Sequence, residues 1–197
     1  ASARPTLVAG STWPSDEAVL LPAWLEVKRI VPDARLIIAP HEPTERHLTP
    51  IELWATRHAL TVRRLSSLDG SVAPDVLLVD RVGVLGELYA LATCAYVGGG
   101  FHNAGLHSVL EPAAFGAPVL FGPRHTSSAD AHALIKADAA TAGADAPAIA
   151  AQLVRWLNDR PERDRVGQRA MRVVEAGLGA AERSCDLVLE LLGPGVA

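Results

Sequence analysis

The chain has 197 residues, 49% of them hydrophobic, and a formal net charge of -4. That length fits one domain able to bury its own core without disulfide or metal staples. The acidic balance, with a pI near 6.0, leaves no basic field to attract nucleic acid or anionic lipid, and no stretch approaches the roughly 20 apolar residues that span a bilayer. The two cysteines, Cys94 and Cys185, have neither zinc-site nor redox-pair spacing, which points to a reducing cytoplasm. The sequence opens at Ala1 and its single methionine is Met171, so it is expected to be a piece of a longer protein.

In chain order, Thr6 to Gly10 reads as a short apolar strand ending in glycine, and Asp16 to Ile30 follows with helical spacing. Arg35 to Ala39 is a second buried strand stopped by Pro40, and Pro43 to His58 a helix with Trp54 on its apolar side. Leu60 to Leu65 is an edge strand, Val76 to Val79 a central one, and Gly83 to Ala92 a helix. Ala95 to Val97 leads into Gly98-Gly99-Gly100, Ser108 to Phe115 is helical, and Pro118 to Phe121 returns to strand. Such alternation implies right-handed crossovers and a parallel sheet covered on both faces. The expected fold class is α/β, a doubly wound parallel sheet of Rossmann-like type. Its core runs from about residue 6 to 125 and a helical tail from about 126 to 192. The tail comprises Ala148 to Leu157, Glu162 to Ala176 and Ala180 to Leu192. The small, polar stretch from Ala137 to Pro147 is a loop with a short strand at Ala139 to Ala142.

In an open parallel sheet, ligands bind beyond the carboxyl ends of the strands, so residues just after each strand carry the functional signal. These are Gly10-Ser11-Thr12, His41-Glu42, Asp80 to Gly86, and Gly98 to Glu111. In the last of them, three glycines let backbone amides approach a ligand, and Gly105 precedes a helix expected to begin near His107 or Ser108. A helix N-terminus presents unpaired N–H groups that suit a phosphate without a metal. Glu111, in the first turn, is placed to accept hydrogen bonds from ribose hydroxyls. Trp24, Trp54 and Trp156 read as core residues, while Trp13 shares its loop with Ser11 and Thr12. His47 and His58 read as exposed helix residues.

The run of glycines, then Gly-x-His-x-x-x-Glu-Pro, then Gly-Ala-Pro-Val-Leu-Phe-Gly-Pro (Gly98 to Pro123) resembles the donor-binding domain of the 3-deoxy-D-manno-octulosonic acid (Kdo) transferases. The resemblance extends over the opening VAGSTWPSDEAVLLPA, LIIAPHEP, VLLVDRVGVLGELYALATCAYVGGG and GLGAAERSCDLVLELL, from Thr6 to about Leu192. It implies the C-terminal half of a GT-B enzyme, with an N-terminal acceptor domain that also supplies the catalytic base and is not part of this sequence. The implied reaction transfers Kdo from CMP-Kdo to a lipid A precursor at the cytoplasmic face of the bacterial inner membrane, in lipopolysaccharide biosynthesis. No cofactor is implied beyond the CMP-Kdo donor. Carried over by motif, Gly10, Ser11 and Thr12 line the donor cleft, Gly98 to Gly100 and Gly105, Leu106, His107 and Ser108 form the phosphate region, and Glu111 meets the ribose. The chain departs from the pattern at Ser108, where many relatives have asparagine. It also reads Pro40-His41-Glu42-Pro43 where many have Pro-Arg-His-Pro, which moves the base contact onto His41. Val84 stands where a glutamate is common, and that role is not transferred to Glu87.

Two other readings stay open at this level: a GT-B enzyme that uses a UDP-sugar, and a non-catalytic nucleotide-binding module. A nicotinamide-dinucleotide domain fits less well, because no compact Gly-x-Gly-x-x-Gly opens the first helix.

Overall fold

The structure, a computed structural model, describes residues 4–69 and 73–178. The helix expected at Ala180 to Leu192, and Cys185, lie outside the described residues. The strands are β1 (Thr6–Thr12), β2 (Arg35–Pro40), β3 (Val62–Arg64), β4 (Val76–Leu78), β5 (Cys94–Val97), β6 (Val119–Phe121) and β7 (Ala140–Ala142). The helices are α1 (Pro14–Ile30), α2 (Glu45–Arg57), α3 (Leu85–Leu88), α4 (Leu110–Ala114), α5 (Ala129–Lys136), α6 (Ala146–Asn158) and α7 (Arg160–Gly177). The strands form one sheet in the order β3-β4-β2-β1-β5-β6-β7, and every pairing is parallel. This is the doubly wound α/β fold expected from the sequence.

Strand alternation sorts the core into two layers. On one face Leu7, Leu36, Ile38, Leu78 and Tyr96 pack with Leu20, Trp24 and Val27 of α1, Ile51 of α2 and Leu153 and Trp156 of α6. On the other, Val8, Ile37, Leu77 and Ala95 pack around Tyr89 and Ala117, while Val97, Val119 and Phe121 meet Ala113, Leu134 and Ala170. Trp24 and Trp156 are fully buried and Trp54 lies against the same core, as their spacing predicted. Cys94 is buried in β5, and loss of solvent pushes its thiol up to about 12.

Several boundaries differ from the sequence expectation, each for a local reason. The helix expected over Gly83 to Ala92 is a single α-turn, α3, followed by a 3-10 turn at Tyr89–Leu91. The tight turn drives Tyr89 and Leu85 against β1, where a side chain at Gly10 would collide with both. The helix expected over Ser108 to Phe115 is only α4, because the His107 N–H is drawn to the Gly98 carbonyl at 3.1 Å and holds the preceding segment out of helix. The sheet also continues past residue 125. β7 pairs with β6, and α6 packs on α1 beneath the sheet. These elements complete the Rossmann-like core, and α7 is the helix that follows it. α5 was not foreseen; it starts where the Ser128 hydroxyl accepts the Ala131 N–H at 3.2 Å.

Candidate functional site

The chain runs from β1 to β2 on one side and returns through β5 on the other, so the strand order reverses between β1 and β5. A crevice at the carboxyl ends of these two strands is where an open parallel sheet takes its ligand. Gly10 to Trp13, His41, and the loop from Gly98 to Val109 converge there.

The end of β1 is irregular. Ser11 has a φ of 53°, and pairing with β2 slips between Gly10 and Thr12. Beyond the bulge the Thr12 carbonyl accepts the His41 N–H at 2.9 Å, which ties the two strand ends together. Thr12 itself is buried and its hydroxyl donates to Glu17 Oε1 at 2.9 Å. Glu17 is also buried; loss of solvent raises its carboxyl above the ordinary value, against the Thr12 hydrogen bond and nearby His47, which lower it. His47 is half-buried rather than exposed as expected, because its Nδ1 bonds the Glu42 carbonyl at 2.8 Å.

Pro14 opens α1 with its ring-fixed φ, and Asp16 in the first turn accepts the Trp13 N–H at 3.0 Å. Asp16 is fully buried. It also accepts the Gly99 N–H at 2.8 Å, the Phe101 N–H at 3.1 Å and the Tyr96 hydroxyl at 3.1 Å. A carboxylate fits here because the helix N-terminus and three N–H groups surround it. Burial, then the neighbouring Asp16 charge, raises the Tyr96 phenol and keeps it a donor. Asp16 faces the protein interior rather than a ligand, so it is not among the residues expected after a strand. Its signal was an acid three residues after the helix cap.

This bonding changes the part that the glycines play. The Gly98 N–H donates to the Gly10 carbonyl at 2.9 Å and the Gly99 N–H to Asp16, so two of the three amides expected to approach a ligand are held within the protein. All three glycines are buried. A Cβ on Gly98 would overlap the Ser11 carbonyl, and Gly99, at φ +93°, packs against Gly105. Gly100 lies against the Gly122 backbone, and its carbonyl accepts the Arg124 N–H at 2.9 Å. The glycines thus serve as close-packing points that set the course of the loop.

What the loop presents is a cluster of rings. Trp13 and His102 stack face to face, with centroids 3.9 Å apart and planes within 2°. His41 stacks on Trp13 at 4.4 Å and lies 4.6 Å from His107. The Trp13 indole Nε1–H donates to His107 Nε2 at 3.2 Å. Burial first, then the proximity of His41, lowers the His107 imidazolium below the ordinary value. His41 is exposed, whereas Trp13, His102 and His107 are half-buried. Stacked rings do not converge their nitrogens on one point, and no group of three or more His, Cys, Asp or Glu side chains among the described residues is arranged to hold a metal.

Ser108, just before the Val109 cap of α4, and Glu111, in its first turn, are both exposed. Burial, then the Glu111 charge, raises the Tyr89 phenol. The structure therefore brings together His41, His107 and the Gly98–Gly100 turn at one crevice, and adds Trp13, Asp16 and His102. It turns the Thr12 hydroxyl inward to Glu17.

The fold and the position of the crevice define a doubly wound, Rossmann-like domain. No protein-family model matches the chain. It is similar to a 3-deoxy-D-manno-octulosonic acid transferase of Aquifex aeolicus, 36% identical over 117 residues that make up 59% of this chain and 31% of that protein. It is likewise similar to the enzyme of that name from Haemophilus influenzae, 27% identical over 94% of this chain and 44% of that one. The chain spans about a third to under half of these relatives' length. In structure it matches the C-terminal CMP-Kdo binding domain of WaaA from Acinetobacter baumannii with a TM-score of 0.77 and 22% identity, covering 87% of this chain and 89% of that domain.

Proposed function

We propose that the chain is the donor-binding domain of a glycosyltransferase that transfers Kdo from CMP-Kdo to a lipid A precursor in lipopolysaccharide biosynthesis. The observation that carries this reading is the convergence of His41, Trp13, His102 and His107 at the β1/β5 switch point, in a chain similar to Kdo transferases. The exposed His41 ring offers a stacking face for the cytosine base, while Glu111 accepts the ribose hydroxyls. Gly105, His107 and Ser108 border the phosphate, on a loop whose course the buried Gly98 to Gly100 set. Ser11 and Thr12 shape the floor. The donor is held without a metal, since N–H donors can bind a phosphate directly.

The acceptor and the catalytic base belong to a partner domain across the cleft, as GT-B chemistry requires, and the full enzyme works at the cytoplasmic face of the inner membrane. No helix among the described residues is long and apolar enough to cross a membrane. The test is equilibrium dialysis of labelled CMP-Kdo against the chain, with EDTA present and absent. CMP is expected to displace the label at lower concentration than UMP or UDP-N-acetylglucosamine, and EDTA to change nothing. Preferential displacement by the UDP-sugar would assign the domain to a UDP-sugar enzyme instead.

A further inference from the structure

An indole N–H can only donate, so the ring nitrogen it meets must carry a lone pair. The Trp13 Nε1–H donates to His107 Nε2 at 3.2 Å, with the ring centroids 6.4 Å apart and the ring planes inclined by 16°. Protonating Nε2 would set two N–H groups against each other. His107 is then a neutral imidazole whose proton sits on Nδ1. The groups around it are His41 at the end of β2, 4.6 Å away between centroids, His102 of the glycine loop, Asp16 of α1 and Glu111 of α4. The two other imidazoles oppose a positive charge on His107 and the two carboxylates favour it, while burial outweighs each of them. His102 covers a face of Trp13 almost in register and His41 stacks on the same indole, so the donor ring is held by its neighbours.

We propose that Trp13 is a positioning residue that fixes His107 as a neutral Nδ1–H imidazole, so that His107 meets the phosphate of the bound nucleotide as a single hydrogen-bond donor rather than as a cation. The second half rests on the donor-site reading above; the first half is a property of the free protein.

The test is nitrogen-15 NMR of the histidine rings in the labelled chain. Wild-type His107 is expected to show the Nδ1–H pattern at pH 7.5, with a through-hydrogen-bond coupling between its Nε2 and the Trp13 Nε1. Trp13→Phe keeps a stacking ring and removes the donor. It should shift the His107 titration midpoint upward and move the proton partly to Nε2, in a chain whose amide spectrum stays dispersed. A wild-type His107 with its proton on Nε2, or a tautomer and midpoint unchanged in Trp13→Phe, overturns the proposal. The coupling is read in the wild type, so it answers the first half even if the variant fails to fold. Adding CMP should perturb the Nδ1 signal with the ring still neutral, and cytidine, which lacks the phosphate, should leave Nδ1 nearly unmoved. An imidazolium in the CMP complex, or equal perturbation by cytidine, overturns the neutral phosphate-donor role. If CMP does not bind at all, the donor-site reading fails while the tautomer result stands.

Discussion

Gly99 donates its backbone N–H to Asp16 Oδ2 at 2.8 Å, which joins the loop after β5 to the first turn of α1 across 83 positions of sequence. The same carboxylate accepts the N–H groups of Trp13, at the centre of the ring cluster, and of Phe101, next to His102. One buried acid therefore fixes the relative placement of the two loops that make the crevice.

Asp16→Asn should destabilise the domain by about 3 kcal/mol, because an amide NH2 replaces an oxygen that accepts two N–H groups and leaves them buried without partners. Urea unfolding at neutral pH measures this as a lower midpoint. A loss under about 0.5 kcal/mol would show that the carboxylate does not hold the loops.

Gly98→Ala should cost about 3 kcal/mol, since the new Cβ overlaps the Ser11 carbonyl and backbone must move. Gly86 offers the contrast: it lies within α3 with open space where a Cβ would be. Gly86→Ala should stabilise by about 0.5–1 kcal/mol through lower chain entropy. Equal effects at the two positions would contradict the close packing assigned to Gly98.

Glu17→Gln should stabilise the protein at neutral pH and do so less as the pH falls. Burial raises the Glu17 carboxyl in the folded state, with the Thr12 hydrogen bond opposing, so the folded protein holds its proton more tightly than the unfolded chain. Stability then declines as pH rises from the ordinary carboxylate pKa, about 4.3, through the raised folded value. Glutamine keeps the oxygen that accepts the Thr12 hydroxyl and removes this loss. Urea midpoints from pH 4 to 8 should diverge upward; parallel curves would place the charged carboxylate in water.

Glu111→Gln should weaken CMP binding by about 1–3 kcal/mol, the size of a hydrogen bond to a charged group. The 2′-deoxy nucleotide should bind more weakly than CMP to the wild type and almost equally to the variant. If the deoxy penalty survives the mutation, Glu111 is not the ribose contact.

Much of this was legible in the sequence because the physics is local. β-branched apolar runs broken by glycine and proline marked β1, β2 and β4 within a residue or two, whereas the strand order that puts the switch between β1 and β5 came from the structure. α5 escaped because its eight residues, started by a single Ser128 cap, are too few for a helical period to stand out. The site was less readable. Glycines after a strand look like a ligand cradle, but the partners of Gly98 and Gly99 are Gly10, Ser11 and Asp16, distant in sequence. The Trp13 stack depends in the same way on three histidines from two other loops. Spacing along the chain carries no record of such contacts.

Cytidine-nucleotide binding at this crevice is measured most directly by titration calorimetry of the folded chain with CMP and with UMP. Saturable one-to-one binding of CMP is expected, tighter than UMP and weakened when His41 is replaced by alanine. No heat from CMP at millimolar concentration, in a chain whose cooperative unfolding shows it to be folded, would contradict it.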